Sequence, residues 1–173
     1  MKRHKALIPL SHDHHHGLLL AQLIKKNAPD YKGLPRDLNG KIKYTIDIYN
    51  SSLKQHFDDE EKILFPVIMG KNKLLENLIY EIINEHRLLE KFIAELTSTK
   101  NQVELLDKIG NILDNHIRKE ERDLFNANTT EIDLDTDSVI QHLSKRYTER
   151  EFLYKAFIEK KYLPVAFITD WGG

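Results

Sequence analysis

Four segments of this chain place a histidine where the helical repeat calls for an apolar side chain. In each segment, apolar residues recur at intervals of three and four residues, which is the spacing of a single helix face. Six polar side chains interrupt these faces: His14, His56, Glu60, His86, His116 and Glu120. Each glutamate follows a histidine by four residues and therefore points in the same direction. A fold for this chain must bury these groups together with its core.

The same periodicity divides the chain into five helical segments. They are residues 11–28, 38–68, 73–96, 102–127 and 137–161. Short connections join the first four segments, so neighbouring helices are expected to be antiparallel. We therefore predict an all-α fold, an antiparallel up-down four-helix bundle over residues 1–130. Residues 131–173 are predicted to form an additional C-terminal helix packed on the bundle, with a short extended piece at 165–168.

The segment lengths place the four histidines at one level of the bundle. In neighbouring antiparallel helices, residues equally far from the connecting turn lie side by side, and each residue adds about 1.5 Å. The four histidines agree in this distance within about one helical turn. Residues 56–65 and 116–125 also share a pattern of His, Glu-Glu and Leu-Phe. We therefore expect two similar half-sites that meet in one layer.

Six buried polar groups in one layer predict a bound metal. An unpaired buried polar group costs about 2–7 kcal/mol, whereas the net stability of a domain is only about 5–15 kcal/mol. Metal binding removes this conflict, because it contributes on the order of 10 kcal/mol. Nitrogen and oxygen donors without sulfur fit iron, manganese or zinc, and two carboxylates able to bridge suit a pair of cations. The alternative is a His–Glu hydrogen-bond network without metal.

Composition and missing motifs narrow the function. The chain has no cysteine, which excludes disulfides, thiolate nucleophiles and iron–sulfur clusters. Neither the Glu-x-x-His pattern of ferritin-like bundles nor the His-Glu-x-x-His pattern of zinc proteases occurs. The net charge is −1 and no apolar run approaches about 18 residues, so we expect neither a nucleic-acid partner nor a membrane partner. A cytoplasmic protein is the expectation.

The sequence resembles the hemerythrin-like family of proteins with the HHE cation-binding motif. The resemblance covers about residues 10–127 and follows the pattern H…HxxxE…H…HxxxE through His14, His56, Glu60, His86, His116 and Glu120. It implies a four-helix bundle that holds two non-haem iron ions with an oxo or hydroxo bridge, for which zinc or manganese can substitute. Functions in this family include reversible oxygen binding, sensing of oxygen or nitric oxide, and iron handling.

The chain departs from the oxygen-carrying hemerythrins at two points. Where those carriers have a second histidine on the third helix, this chain has Glu90, which is a seventh candidate ligand. Their fourth-helix carboxylate follows the histidine by five residues, the position of Glu121 here, but helical rotation favours Glu120. On the first helix, His15 is the alternative to His14. The ligand set therefore stays open at these positions.

The donor count and the resemblance favour a small-molecule function. Six protein donors cannot fill the roughly twelve coordination positions of two octahedral cations. We therefore expect an open position at which the centre binds or senses oxygen, nitric oxide or peroxide. The alternatives are an oxidase- or peroxidase-like enzyme and a protein of iron storage or donation. The C-terminal segment is the expected contact for a homodimer or a protein partner.

Overall fold

The computed structural model describes residues 4–126 and 137–162, and within these ranges the regular structure is helical. The α-helices are α1 (Ile8–Ile24), α2 (Leu38–Ile48), α3 (Lys54–Asp59), α4 (Phe65–Ile68), α5 (Lys73–Glu95), α6 (Gln102–Lys119), α7 (Asp137–Leu153) and α8 (Lys160–Tyr162). A 3₁₀ turn, Lys5–Leu7, precedes α1. The extended piece predicted at 165–168 lies outside the described residues.

Several predicted helices contain π-helical turns, which the sequence did not predict. These turns are Tyr49–Leu53 between α2 and α3, Glu60–Leu64 between α3 and α4, Glu120–Leu124 after α6, and Tyr154–Glu159 between α7 and α8. In a π turn the hydrogen bond spans five residues, as from the N–H of Phe125 to the carbonyl of Glu120 at 2.7 Å. Apolar spacing alone does not distinguish such a turn from α-helix, because the wider π turn takes up the extra residue and keeps the following apolar side chains on the same face.

The predicted all-α bundle is confirmed. Its four rods are α1, the continuous helical run 38–68, α5 and α6; α1 packs along α6 and beside α2, and α5 packs beside α6 and α4. Two glycines permit the close approach of α1 to α6. A Cβ on Gly110 would lie 2.8 Å from the carbonyl oxygen of Ala21, and one on Gly17 would lie 2.7 Å from Cδ1 of Ile117.

Side-chain caps fix where two of the rods begin. The carboxylate of Asp37 accepts from the N–H of Gly40 at 2.8 Å at the start of α2. The side chain of Asn72 accepts from the N–H of Leu74 at 2.8 Å at the start of α5, directly after a turn in which Gly70 has a φ of 80°. Such caps satisfy backbone donors that have no partner inside a helix. Because the connections that precede these starts are short, successive rods are antiparallel.

The apolar core has two parts, and the predicted polar layer lies between them. On α1, His14 lies between Leu10, which belongs to one apolar cluster, and Leu20, which belongs to the other. His86 occupies the same place on α5, between residues of the two clusters. The layer is therefore enclosed by apolar side chains from both ends of the bundle.

The helix α7 covers one side of this layer. It packs against α1, α3 and the two π turns that flank α3. Its Arg150 is only 1% exposed, and an arginine is rarely buried so fully unless it is paired. Among the described helices, none combines the length and the apolar character of a membrane-spanning segment.

Candidate metal centre

Six side chains from the four rods converge in the polar layer. They are His14 of α1, His56 of α3, Glu60 at the start of a π turn, His86 of α5, His116 of α6, and Glu120 at the start of a second π turn. None of the six is more than 4% exposed. The structure therefore brings together all six residues that interrupt the apolar faces of the sequence.

The donor atoms form two groups that share both glutamates. The first group contains His14, His56, Glu60 and Glu120, and the second contains Glu60, His86, His116 and Glu120. Within each group, the donor atoms all lie within 4.8 Å of one another. We refer to these groups below as the first and the second position.

Each glutamate presents one carboxylate oxygen to each position. Oε1 of Glu60 lies 3.4 Å from Nε2 of His56, and Oε2 lies 3.3 Å from Nε2 of His86. Glu120 spans the other two histidines in the same way, at 3.1 and 3.3 Å. Carboxylates placed in this manner have the geometry needed to bridge two cations.

The atoms that face the layer lack hydrogen bonds among the residues that the structure describes. The Nε2 atoms of the four histidines and both carboxylate oxygens of each glutamate are buried without a hydrogen-bond partner. In a His–Glu network without metal, these eight atoms could be satisfied only by protons held between histidine and glutamate, and each group left unpaired would cost about 2–7 kcal/mol. All eight are nitrogen or oxygen donors suited to iron, manganese or zinc. The donor set therefore fits a pair of cations better than it fits a metal-free network.

A carboxylate holds each of these histidines from the opposite side of its ring. The Nδ1 distances are 2.6 Å from His14 to Glu121, 3.1 Å from His56 to Asp13, 2.8 Å from His86 to Glu61, and 2.9 Å from His116 to Glu85. An Nδ1–H that donates to a carboxylate fixes the tautomer and leaves the Nε2 lone pair free for a metal. The four rings are therefore oriented to present Nε2 to the layer.

The orienting carboxylates repeat in the sequence as regularly as the residues they orient, yet sequence reasoning missed this role. Glu61 and Glu121 directly follow the two shared glutamates, and Asp13 and Glu85 directly precede histidines of the layer. Each of these acids hydrogen-bonds a histidine on another rod rather than on its own. The two Glu-Glu pairs and the two acid–His pairs were the signal that could have revealed them.

The two π turns begin at the shared glutamates and explain how adjacent acids serve different purposes. A π turn has more residues per turn than an α-helix, so successive side chains are separated by a smaller rotation. Glu60 thus faces the layer while Glu61 reaches His86 on α5. Glu121, a candidate ligand by sequence, bonds instead to Nδ1 of His14 and to Ser11.

Two other candidate ligands lie outside the two positions. Glu90 is one helical turn after His86, but its carboxylate accepts from Arg87 at 3.0 Å and is 33% exposed. This arginine holds it at the surface of α5, so the structure does not bring the seventh candidate to the layer. On α1, His15 is exposed and belongs to neither group, whereas His14 is buried and belongs to the first.

The charges of the layer raise the pKa values of His56 and His86. Burial lowers the pKa of His56, but the charge of Glu60 and the hydrogen bond to Asp13 outweigh it and raise this pKa to about 10. Burial likewise opposes protonation of His86, yet its contact with the carboxylate of Glu60 and its hydrogen bond to Glu61 raise its pKa to about 9. Burial alone would raise the pKa of Glu60, but the charges of both histidines hold it well below the usual value. Protons and cations therefore compete for the same nitrogens.

We expect zinc binding to release protons at about pH 7 and to strengthen as the pH rises to about 9. His56 and His86 hold a proton at pH 7 because their pKa values are about 10 and 9, and Nε2 must lose it before it coordinates. Without cations the stability of the folded chain changes with pH in the opposite direction. A raised histidine pKa stabilises the folded chain fully below its unfolded value of 6.5, and this stability is lost as the pH rises towards 9 and 10.

Isothermal titration of the chain with zinc, in buffers that differ in ionisation enthalpy, counts the released protons. The exposed His15 is the control, because His15→Ala should release the same number as the unmodified chain. Zinc binding without proton release at pH 7 would contradict the raised histidine pKa values.

Comparison with known protein families also indicates that this region of the chain binds cations. The family model of the hemerythrin HHE cation-binding domain matches residues 6–127. This range includes all six converging residues, whereas α7 and α8 lie outside it. No curated protein and no solved structure matches the chain significantly. Because the match covers well over half of its length, the chain belongs to the hemerythrin family of HHE cation-binding domains.

Proposed function

We propose that this chain holds a non-haem di-iron centre and uses it to bind or sense oxygen, nitric oxide or peroxide. One observation carries the proposal: eight buried donor atoms that have no hydrogen-bond partner within residues 4–126 and 137–162 form two groups that share two carboxylates. In this proposal the ligands are His14, His56, Glu60, His86, His116 and Glu120. Residues 1–130 are the cation-binding domain, and the remainder is an extension.

Each position receives two imidazole nitrogens and two carboxylate oxygens from the chain. Four protein donors leave about two positions of an octahedral cation to other ligands. Two iron ions bound there would supply open coordination positions and reducing equivalents to a small ligand. Iron is proposed because of the family to which the chain belongs, and manganese and zinc are its competitors because they accept the same donors.

The surroundings of the layer favour a small uncharged ligand. Apolar clusters enclose the layer from both ends of the bundle. The ring of Phe57 stacks on His86 with centroids 4.0 Å apart, and the ring of Phe125 stacks on His14 at 5.4 Å. These aromatic and aliphatic groups disfavour water and admit small apolar molecules such as oxygen or nitric oxide.

The test begins with elemental analysis of the protein produced by growth with iron, in which we expect two iron ions per chain. The iron-loaded protein is then reduced without air, and visible spectra are recorded after adding oxygen, nitric oxide or hydrogen peroxide. A spectral change with oxygen that reverses under vacuum would support binding. Irreversible oxidation with turnover of peroxide would instead indicate an oxidase- or peroxidase-like enzyme.

Two results would contradict the proposal. A single zinc ion after growth with iron would count against a di-iron centre. An iron-loaded protein that responds to none of the three ligands would leave iron storage or a structural metal as the function. His15→Ala is the matched control, because its side chain is exposed and next to His14, and its spectra should equal those of the unmodified chain.

A further inference from the structure

The helix α7 reaches the layer through one buried side chain. Arg150 is 1% exposed and lies outside the residues that the family model matches. Its Nε and Nη2 donate to Oδ2 of Asp13, at 2.9 and 2.6 Å. The same oxygen accepts from Nδ1 of His56 at 3.1 Å. One carboxylate oxygen therefore connects α7 to an imidazole of the first position.

Arg150 also contacts a second buried carboxylate. Its Nη1 donates to Asp59, which is fully buried, directly precedes Glu60 and accepts a further hydrogen bond from Arg146. Two arginines of α7 thus balance two aspartates, one on α1 and one on α3. Without Arg150, the buried aspartates would retain only one of these two cations.

The second position is supported differently. The carboxylates behind its histidines are Glu61 and Glu85, which are 18% and 21% exposed. Their cationic partners are Arg87, which is 53% exposed, and Lys119, which is 25% exposed. Solvent screens such exposed pairs, so each contributes little to the free energy of folding. Removal of one partner from a buried pair costs far more, because it leaves an uncompensated buried charge. Neither cation is on α7, so the two positions depend unequally on this helix.

We propose that Arg150 is a positioning residue for the first position, through which the C-terminal helix sets the affinity of one of the two cations. It fixes Asp13, and Asp13 fixes the tautomer and the ring orientation of His56. The inference rests on the proposed metal centre, and it concerns residues beyond the cation-binding domain. Loss of a hydrogen-bond partner of a ligand costs about 10- to 100-fold in metal affinity, and Arg150 acts through such a partner, Asp13.

The test is a titration of the full chain with Co²⁺, followed by visible absorption. The unmodified chain should bind two ions. Arg150→Met should retain one of them and bind the other about 10- to 100-fold more weakly. The control is Lys155→Met, which removes an exposed cation of the same C-terminal extension, paired with Glu151, and should bind both ions normally.

Combination with single-position variants shows which ion is affected. In a His116→Ala background, which keeps the first position intact, Arg150→Met should weaken binding of the remaining ion about 10- to 100-fold. In a His56→Ala background, the same substitution should cause no further loss. A general structural defect would weaken both backgrounds equally, and that result would overturn the proposal.

A companion variant guards against misfolding. Asp59→Asn combined with Arg150→Met removes the cation together with one of the two carboxylates that it balances, so the net buried charge is unchanged. It should show the same selective loss, with an unchanged circular dichroism spectrum. Unchanged affinity for both ions in this double variant would overturn the proposal. If the unmodified chain binds no Co²⁺, the metal centre itself is wrong, and the inference falls with it.

Discussion

Glu60→Ala is expected to abolish tight binding at both cation positions at once. Glu60 presents one oxygen to the first position and the other to the second, so its loss reduces each from four protein donors to three. It also removes a negative charge from a layer that must offset two cations. The loss should exceed the roughly 10- to 100-fold that removal of an outer partner costs. Elemental analysis and a Co²⁺ titration measure it.

The controls for this experiment separate shared from unshared ligands. His56→Ala should weaken the first position more than the second, because His56 belongs to one group only. Glu90→Ala should leave both ions in place, because the Glu90 carboxylate pairs with Arg87 at the surface of α5. A Glu60→Ala chain that keeps two ions, or a Glu90→Ala chain that loses one, would contradict the assignment of the shared carboxylates.

The layer itself could be predicted because it depends on local periodicity. A histidine at an apolar position must lie inside the bundle, and a glutamate four residues later lies on the same face. Short connections then bring the four histidines to one level, which is a property of chain lengths. Of the shared glutamates, Glu120 was chosen over Glu121 by rotation alone, and the structure places the chosen residue in the layer.

What the sequence could not provide depends on contacts between distant segments. The acidic run 58–61 is expected from its composition to be a solvated face with Glu60 alone turned inward. The structure also buries Asp59, since α7 supplies Arg146 and Arg150 as its partners from about ninety residues away in the chain. Glu90, the seventh candidate, lies outside the layer, and its carboxylate accepts from Arg87 at the surface of α5.

Removal of the cations with a chelator is expected to lower the melting temperature of the loaded protein by about 8–16 °C. A ligand that binds only the folded chain stabilises it by about 4 kcal/mol at a concentration 1,000 times its Kd. For a domain of this size, about 1 kcal/mol corresponds to roughly 2–4 °C. Differential scanning calorimetry with and without chelator, followed by restoration of the metal, measures the shift.

The physical reason for this shift is the set of eight donor atoms in the layer that have no hydrogen-bond partner in the described part of the chain. Cations satisfy them in the folded chain, whereas in the unfolded chain water does so at no cost. Without cations, protons on His56 and His86 satisfy part of the set, because the pKa values of these residues are raised to about 10 and 9. The stabilisation by cations should therefore be larger at about pH 8 than at about pH 6. Glu60→Ala should show no chelator effect at either pH, and a metal-independent melting temperature in the unmodified chain would contradict the metal centre.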